Sequence, residues 1–272
     1  GIQHFSAHDV SWDLPASAKI SFYPSIGSFV GSDILAGIAA TQMAERDEYT
    51  VLVDLGTNGE IVAGNRHKIL CASTAAGPAF EGAKISQGRR AATGAISSVS
   101  GENGKLNCHV IGNGKARGIC GSGLIDAVAV LLQQEKIGMF GEFNSDEEKV
   151  LLAPGVFLTG QDIREFQLAK AAVAAGLQIL LNRLGITFSD VHQVFIAGGF
   201  GNFLNIDHVI QTGLIETSAD KIVKLGNTAL IGAKMFLFGD DCFTGKILEK
   251  TSHINLEGDP AFQDIFVEKL IF

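Results

Sequence analysis

The sequence is poor in cysteine, and none of its cysteines are closely paired. Four of them, at positions 71, 108, 120 and 242, sit in 272 residues. With no C-x-x-C pair and no C-x₄-C-x₂-C run, neither a zinc knuckle nor a plant-type iron–sulfur loop is encoded. Basic charge is also short. The 21 Lys and Arg residues stand against 29 Asp and Glu, a net charge of −8, and their dispersal argues against a nucleic-acid footprint. No stretch reads as a membrane span, because Asp126, Lys170 and Gln178 interrupt the long apolar runs. The opening Gly-Ile-Gln-His-Phe lacks the basic and apolar regions of a secretory signal. Seven histidines, at 4, 8, 67, 109, 192, 208 and 253, show no H-E-x-x-H spacing, so a protein-borne metal centre is not expected. Scattered thiols fit a reducing, cytoplasmic compartment. The first residue is Gly and not Met, and the chain is read as an excised piece of a longer polypeptide.

What the sequence has in quantity is glycine, 33 residues of it, within a composition that is 46% hydrophobic. The chain is organised around residues 50–64. A buried-type strand, Val51-Leu52-Val53, runs into Asp54 and a Gly56-Thr57-Asn58-Gly59 turn before Ile61-Val62-Ala63 leads away. Asn-Gly favours positive φ at the two central positions of a tight hairpin. Outward N–H groups in such a turn can cradle phosphate oxygens, while Thr57 offers a hydroxyl and Asp54 a carboxylate for hydrated Mg²⁺. An ordinary hairpin whose Asp caps a turn accounts for the same residues.

In chain order, residues 1–21 read as a connecting segment. A helix follows from Ser32 or Asp33 to about Glu45. The hairpin and a third strand over 67–72 predict an antiparallel three-strand meander. Thr74–Ala83 reads as a small-residue loop, Ala95–Ser100 and Leu106–Ile111 as a second hairpin, and 138–155 as a polar excursion. Gly118-Ile119-Cys120-Gly121-Ser122-Gly123 opens a helix, where free N–H groups favour an anion; close packing of helix on sheet explains the glycines equally well. Cys120 reads as a small buried thiol and not a nucleophile, with no His or second Cys suitably spaced.

Thr159 and Asp162 predict a capping box for a helix over 160–184 that Gly185 stops. Val194–Ala197 is a buried strand running into Gly198-Gly199-Phe200-Gly201-Asn202, and helices follow at 227–238, 242–250 and 259–270. The order implies an α/β open mixed sheet with helices on its faces, and ligands in such sheets gather where strands end in glycine turns. If the strands before Asp54 and Gly198 are neighbours, both turns open on one edge. Three glycines in four residues then let backbone approach a ring or ribose. Arg164, Gln167 and Lys170 recur on one flank of the 160–184 helix; a solvated face is the default, and lining a nucleotide cleft the alternative. Glu81 is either an exposed loop residue or a catalytic carboxylate.

Taken together, Asp54-Leu-Gly-Thr-Asn-Gly-Glu60, Ala76-Gly-Pro-Ala-Phe-Glu-Gly82, Gly118-Ile-Cys-Gly-Ser-Gly123, the Asp162–Lys170 helix start, Ala197-Gly-Gly-Phe-Gly201 and Gly226-Asn-Thr-Ala-Leu230 resemble one family across nearly the whole chain. It is the C-terminal domain of ATP-dependent reductive activators of corrinoid proteins, within the acetate and sugar kinase, heat-shock chaperone and actin superfamily. The resemblance implies a ribonuclease H-like, actin-type lobe binding ATP with Mg²⁺, with residues 1–48 as connecting segment and interlobe helix, 49–240 as the lobe and 241–272 as a helical extension. It makes the Asp54 hairpin the second phosphate loop, the Gly198 turn the adenosine loop, and the helices near 32–45 and 227–238 the interlobe connectors. Members use ATP to drive an electron from a [2Fe-2S] domain to a corrinoid protein, returning Co(II) to Co(I). The partner implied is the corrinoid protein of a methyltransferase system, with a homodimer left open. The chain has no Fe–S run and about 50 residues before the hairpin, so a first lobe and a redox domain are expected outside it, and the piece alone is expected to be inactive. Half of a kinase-like phosphotransferase, with Glu81 at the γ-phosphate, and a non-catalytic docking module are the competing readings.

Overall fold

The computed structural model describes residues 1–56, 58–102, 104–146, 148–239 and 241–272, apart from the side chains of Phe200, Asp241 and Cys242. The chain begins with an antiparallel pair, β1 (Gln3–Ser6) and β2 (Lys19–Phe22), inside the stretch expected to be a connector. Helix α1 (Ser32–Thr41) follows and gives way to a single 3₁₀ turn at Met43–Glu45, so the helix is shorter than expected. The meander is β3 (Tyr49–Leu55), β4 (Gly59–Gly64) and β5 (Ile69–Thr74). Beyond it come β6 (Ala95–Glu102), β7 (Lys105–Val110), the two-residue β8 (Gly118–Ile119) and α2 (Gly121–Gln133). The expected polar excursion ends in a hairpin, β9 (Lys149–Ala153) and β10 (Val156–Thr159), that leads into α3 (Gly160–Leu184). Then β11 (Val191–Ala197), the one-turn α4 (Gly198–Gly201), α5 (Ile206–Gln211), β12 (Ile222–Gly226), α6 (Thr228–Phe238), α7 (Asp241–Lys250), β13 (Thr251–His253) and α8 (Phe262–Glu268) complete the chain. The last helix starts after Pro260, which therefore lies outside its first turn.

Six strands form the central sheet in the order β12-β11-β3-β4-β5-β13. The meander is antiparallel, while β11 runs parallel to both β3 and β12. Five of the six give the strand order of a ribonuclease H-like lobe, with β13 added in parallel along β5. Strand periodicity sorts the residues into two cores. Val51, Val53, Ile61 and Ala63 face α3, where Phe166, Val173 and Leu177 cover them; Leu52, Val62 and Cys71 face α1 and Phe236 of α6. Helices on both faces leave the central strands with no wet side, which is why Val51-Leu52-Val53 is a continuous apolar run.

The helix that seals one face is set by its ends. Thr159 accepts from the Asp162 N–H, Asp162 accepts in return from the Thr159 N–H, and Gly185 closes the helix at φ 72°. The buried Asp162 carboxylate also accepts from the Ser86 N–H at 2.6 Å and the Ser86 hydroxyl at 2.7 Å. One residue thus caps α3 and pins the 78–91 loop, which forms a wall of the site described next. Among the described residues no helix is long and apolar enough to cross a membrane.

Candidate functional site

Strands β3 and β11 are parallel neighbours with Asp54 opposite Ala197, so the turns that follow them open side by side on one sheet edge. Their approach is close. Gly198 has φ 86°, and a Cβ there would lie 2.8 Å from Asp54 Oδ1, so this position requires glycine both for its conformation and for space. Gly199 differs: among the described residues a Cβ would meet nothing within 4 Å, so none of them explains the glycine there by packing. A Cβ at Gly201 would lie 2.8 Å from Ile196 Cγ2, which makes it a packing glycine. Asn202 is exposed beside the β12–α6 junction, its amide 3.0 Å from where a Gly226 Cβ would stand.

The Asp54 turn corrects one expectation. Gly59 is not at the centre of a tight Asn-Gly reversal but already in the ladder opposite Leu55, without positive φ. Its glycine serves packing instead, since a Cβ would lie 2.7 Å from Thr74 Oγ1. Between the two strands the Gly56 N–H donates to the Asn58 carbonyl at 3.0 Å. Thr57 lies outside the described residues, as does the Phe200 side chain.

Electrostatically this edge is acidic. Burial, and then the Asp33 carboxylate, push Asp54 up to about 6. Burial and then Asp54 push Glu60, its cross-strand partner, up to about 7. Among the described residues no three His, Cys, Asp or Glu side chains are grouped to hold an ion directly. The donor set therefore fits a hard cation that keeps most of its water and takes phosphate oxygens, as Mg²⁺ does, with Asp54 as the protein carboxylate. Raised carboxylate values favour the folded state at low pH, and that contribution fades as pH rises through 6 and 7. Asp54's share is on the order of 2 kcal/mol, while Glu60's is smaller because water reaches it. In chelating buffer the thermal midpoint should fall between pH 5 and pH 8. A midpoint flat across that range would show that the pair is not strained by its own charge.

Beside Gly199 a cavity of about 730 Å³ opens, walled by the 78–91 loop, the β6–β7 hairpin and the start of α2. It brings together Glu81, Gly121, Ser122 and Gly199 of the residues picked out from sequence. Ser122 donates to the Ser97 carbonyl at 2.7 Å, and Cys120 is buried with its thiol 3.4 Å from the Ile96 carbonyl. A Cβ at Gly123 would lie 2.3 Å from the Ile96 oxygen, so the packing explanation holds for that glycine. The sequence reading missed Arg89, Arg90, Ser98, His109 and Phe203, which line the same cavity. Nothing in their spacing, across 115 residues of loop and hairpin, marks them as a group.

The flank of α3 also departs from expectation. Only Arg164 is exposed; Gln167 and Lys170 are buried, so this is no solvated face. Gln167 donates to the Leu270 carbonyl at 2.9 Å and Lys170 to the Ile271 carbonyl, with the Lys170 ammonium 5.4 Å from the Phe272 ring centre. Burial lowers Lys170 to about 8. These two side chains clasp residues 270–272, and neither they nor Arg164 line the cavity beside Gly199.

Comparison with known proteins gives a consistent set of relatives. Residues 48–272 match the family described as the C-terminal domain of RACo, the ASKHA domain, and residues 1–46 match the RACo middle region. A "Corrinoid activation enzyme RamQ" from Eubacterium limosum is 34% identical over 95% of this chain and 49% of its own length. A "[Co(II) methylated amine-specific corrinoid protein] reductase" from Methanosarcina barkeri is 30% identical over 80% of this chain and 44% of its own. Among solved structures, a "Reductive activator for corrinoid,iron-sulfur protein" superposes with a TM-score of 0.86 at 32% identity, covering 99% of this chain and 47% of that one. The chain thus spans about half the length of the relatives it matches.

Proposed function

The chain belongs to the RACo family as its C-terminal ASKHA domain with a part of the middle region, and from that premise we propose that it is the nucleotide-binding lobe of an ATP-dependent reductive activator. The whole protein would pass one electron from a reduced [2Fe-2S] domain to Co(II) in a corrinoid protein, forming Co(I). The relatives are about twice as long as the stretch they share with this chain. In that further length we place the second lobe and the iron–sulfur domain. The observation that carries the reading is the pairing of two turns on one edge, with Gly198 pressed against Asp54 and Gly199 open to the cavity.

In this reading the triphosphate lies against the 56–58 turn. Asp54 would hold hydrated Mg²⁺ through one of its waters and would not act as a base, because an acid that is buried beside another acid gains most from a cation. The nucleoside lies on the Gly199 side, with Gly121, Ser122 and Glu81 near it, and Asn202 closes the far side. The cation's chemistry is charge neutralisation at the phosphates; the chain's own residues bind, orient and exclude water. Residues 1–48 and α6 would carry the hinge. In support, α6 exposes Leu230, Ile231, Leu237 and Phe238 at spacings that share one helix face. Closure of two lobes is needed to hold the transition state. The 272-residue chain alone should therefore bind nucleotide weakly and release phosphate near background. Phosphate release by this chain matching that of the complete protein would show that no second lobe is needed.

A further inference from the structure

Arg89 has no assigned role, and its surroundings fix it in place more firmly than a loop arginine requires. Its N–H donates to the Ile119 carbonyl at 2.9 Å. Its backbone is pressed against Gly82, where an added Cβ would lie 2.4 Å from the Arg89 nitrogen. Its stem lies on Gly118, whose Cβ would stand 3.0 Å from Arg89 Cδ. Arg89 also lines the cavity beside Gly199. Nε is shielded from solvent and has no hydrogen-bond partner among the described residues. A buried, unpaired N–H of a cation costs free energy in the folded chain and calls for a reason. A side chain held by backbone on two sides on the wall of an open cavity is preorganised for an acceptor that arrives with a ligand.

We propose that Arg89 positions the nucleoside end of the bound nucleotide, with its guanidinium donating to an acceptor on the base or ribose. This rests on the nucleotide-binding reading above. Position favours the nucleoside over the phosphates as its target: among the described residues none of the Asp54–Gly59 turn lines this cavity, whereas Gly199 does. The cavity is also large enough for a nucleoside, since about 730 Å³ falls in the range of small-molecule sites. His109 lines the same cavity, its Nδ1 3.0 Å from Ser97 Oγ.

Arg89→Met keeps the stem and removes every donor, so it separates position from packing. Calorimetry on the complete protein and its Arg89→Met variant, with ATP, adenosine and tripolyphosphate as separate probes, reads the difference. The variant should lose about tenfold in affinity for both ATP and adenosine and keep wild-type affinity for tripolyphosphate. Without ligand its thermal midpoint should equal or exceed that of the wild type, because an unpaired buried donor is gone. Loss confined to ATP and tripolyphosphate would assign Arg89 to the phosphates and overturn the proposal, as would unchanged affinity for all three. A lowered midpoint with the loss spread over all three probes would make the residue structural and overturn it too. A wild-type protein that binds none of the probes would instead overturn the nucleotide-binding reading, and this proposal with it.

Discussion

Gly199→Val in the complete protein should weaken ATP binding by about a hundredfold while leaving the fold in place. The two halves of that expectation have separate grounds. A Cβ at residue 199 meets no atom of the described residues within 4 Å and the backbone there is not in the left-handed region, so a valine is accommodated when no ligand is bound. A branched side chain in that open space stands where a nucleotide's ring or ribose must approach backbone, and steric exclusion of this kind removes several kcal/mol of contact. The neighbouring positions are controls. Valine at 198 would collide with Asp54 and at 201 with Ile196, so both should lower the thermal midpoint, whereas valine at 199 should shift it by no more than a degree or two. Unchanged ATP affinity in calorimetry of Gly199→Val would remove the Gly198–Asn202 turn from the site.

The second large effect is expected at Asp54. Asp54→Asn should abolish the Mg²⁺ dependence of nucleotide binding, with a loss of about a hundredfold in the presence of Mg²⁺ and little without it. The substitution should also make the ligand-free protein more stable at pH 8, by a few degrees in midpoint. Asn keeps the shape while removing a charge that burial and Asp33 disfavour, and it relieves Glu60, whose own rise owes its second contribution to Asp54. Binding and stability moving in opposite directions is the signature of a carboxylate kept for a cation. Equal loss of affinity with and without Mg²⁺ would contradict it and point to a direct contact with the nucleotide.

The part of this architecture that could be read from sequence is the part governed by local rules. The meander is announced by two-sided apolar strands with glycine between them, and α3 by the Thr159–Asp162 box and Gly185. Strand β12 was missed because Ile222–Gly226 is short and only partly buried, so neither an apolar run nor a clean alternation marks it. The burial of Gln167 and Lys170 was missed for another reason: their partners are backbone carbonyls about a hundred residues on, which no periodicity along α3 can show. The same holds for the site. Asp54 and Gly198 were legible because each ends a strand in glycine, and their adjacency needed only that the two strands pair. Arg89, His109 and Phe203 share a cavity only through the tertiary fold. The glycines needed structure to be sorted, since Gly59, Gly123 and Gly201 are explained by packing and Gly199 is not.

The most direct test is anaerobic absorbance of a Co(II) corrinoid protein mixed with the complete, reduced protein, with and without ATP. Co(I) should accumulate only with ATP, and Gly199→Val should suppress it at ATP concentrations that saturate the wild type. Co(I) forming to the same extent without ATP, or equally with the variant, would contradict the assignment of this chain as the nucleotide-binding lobe of a reductive activator.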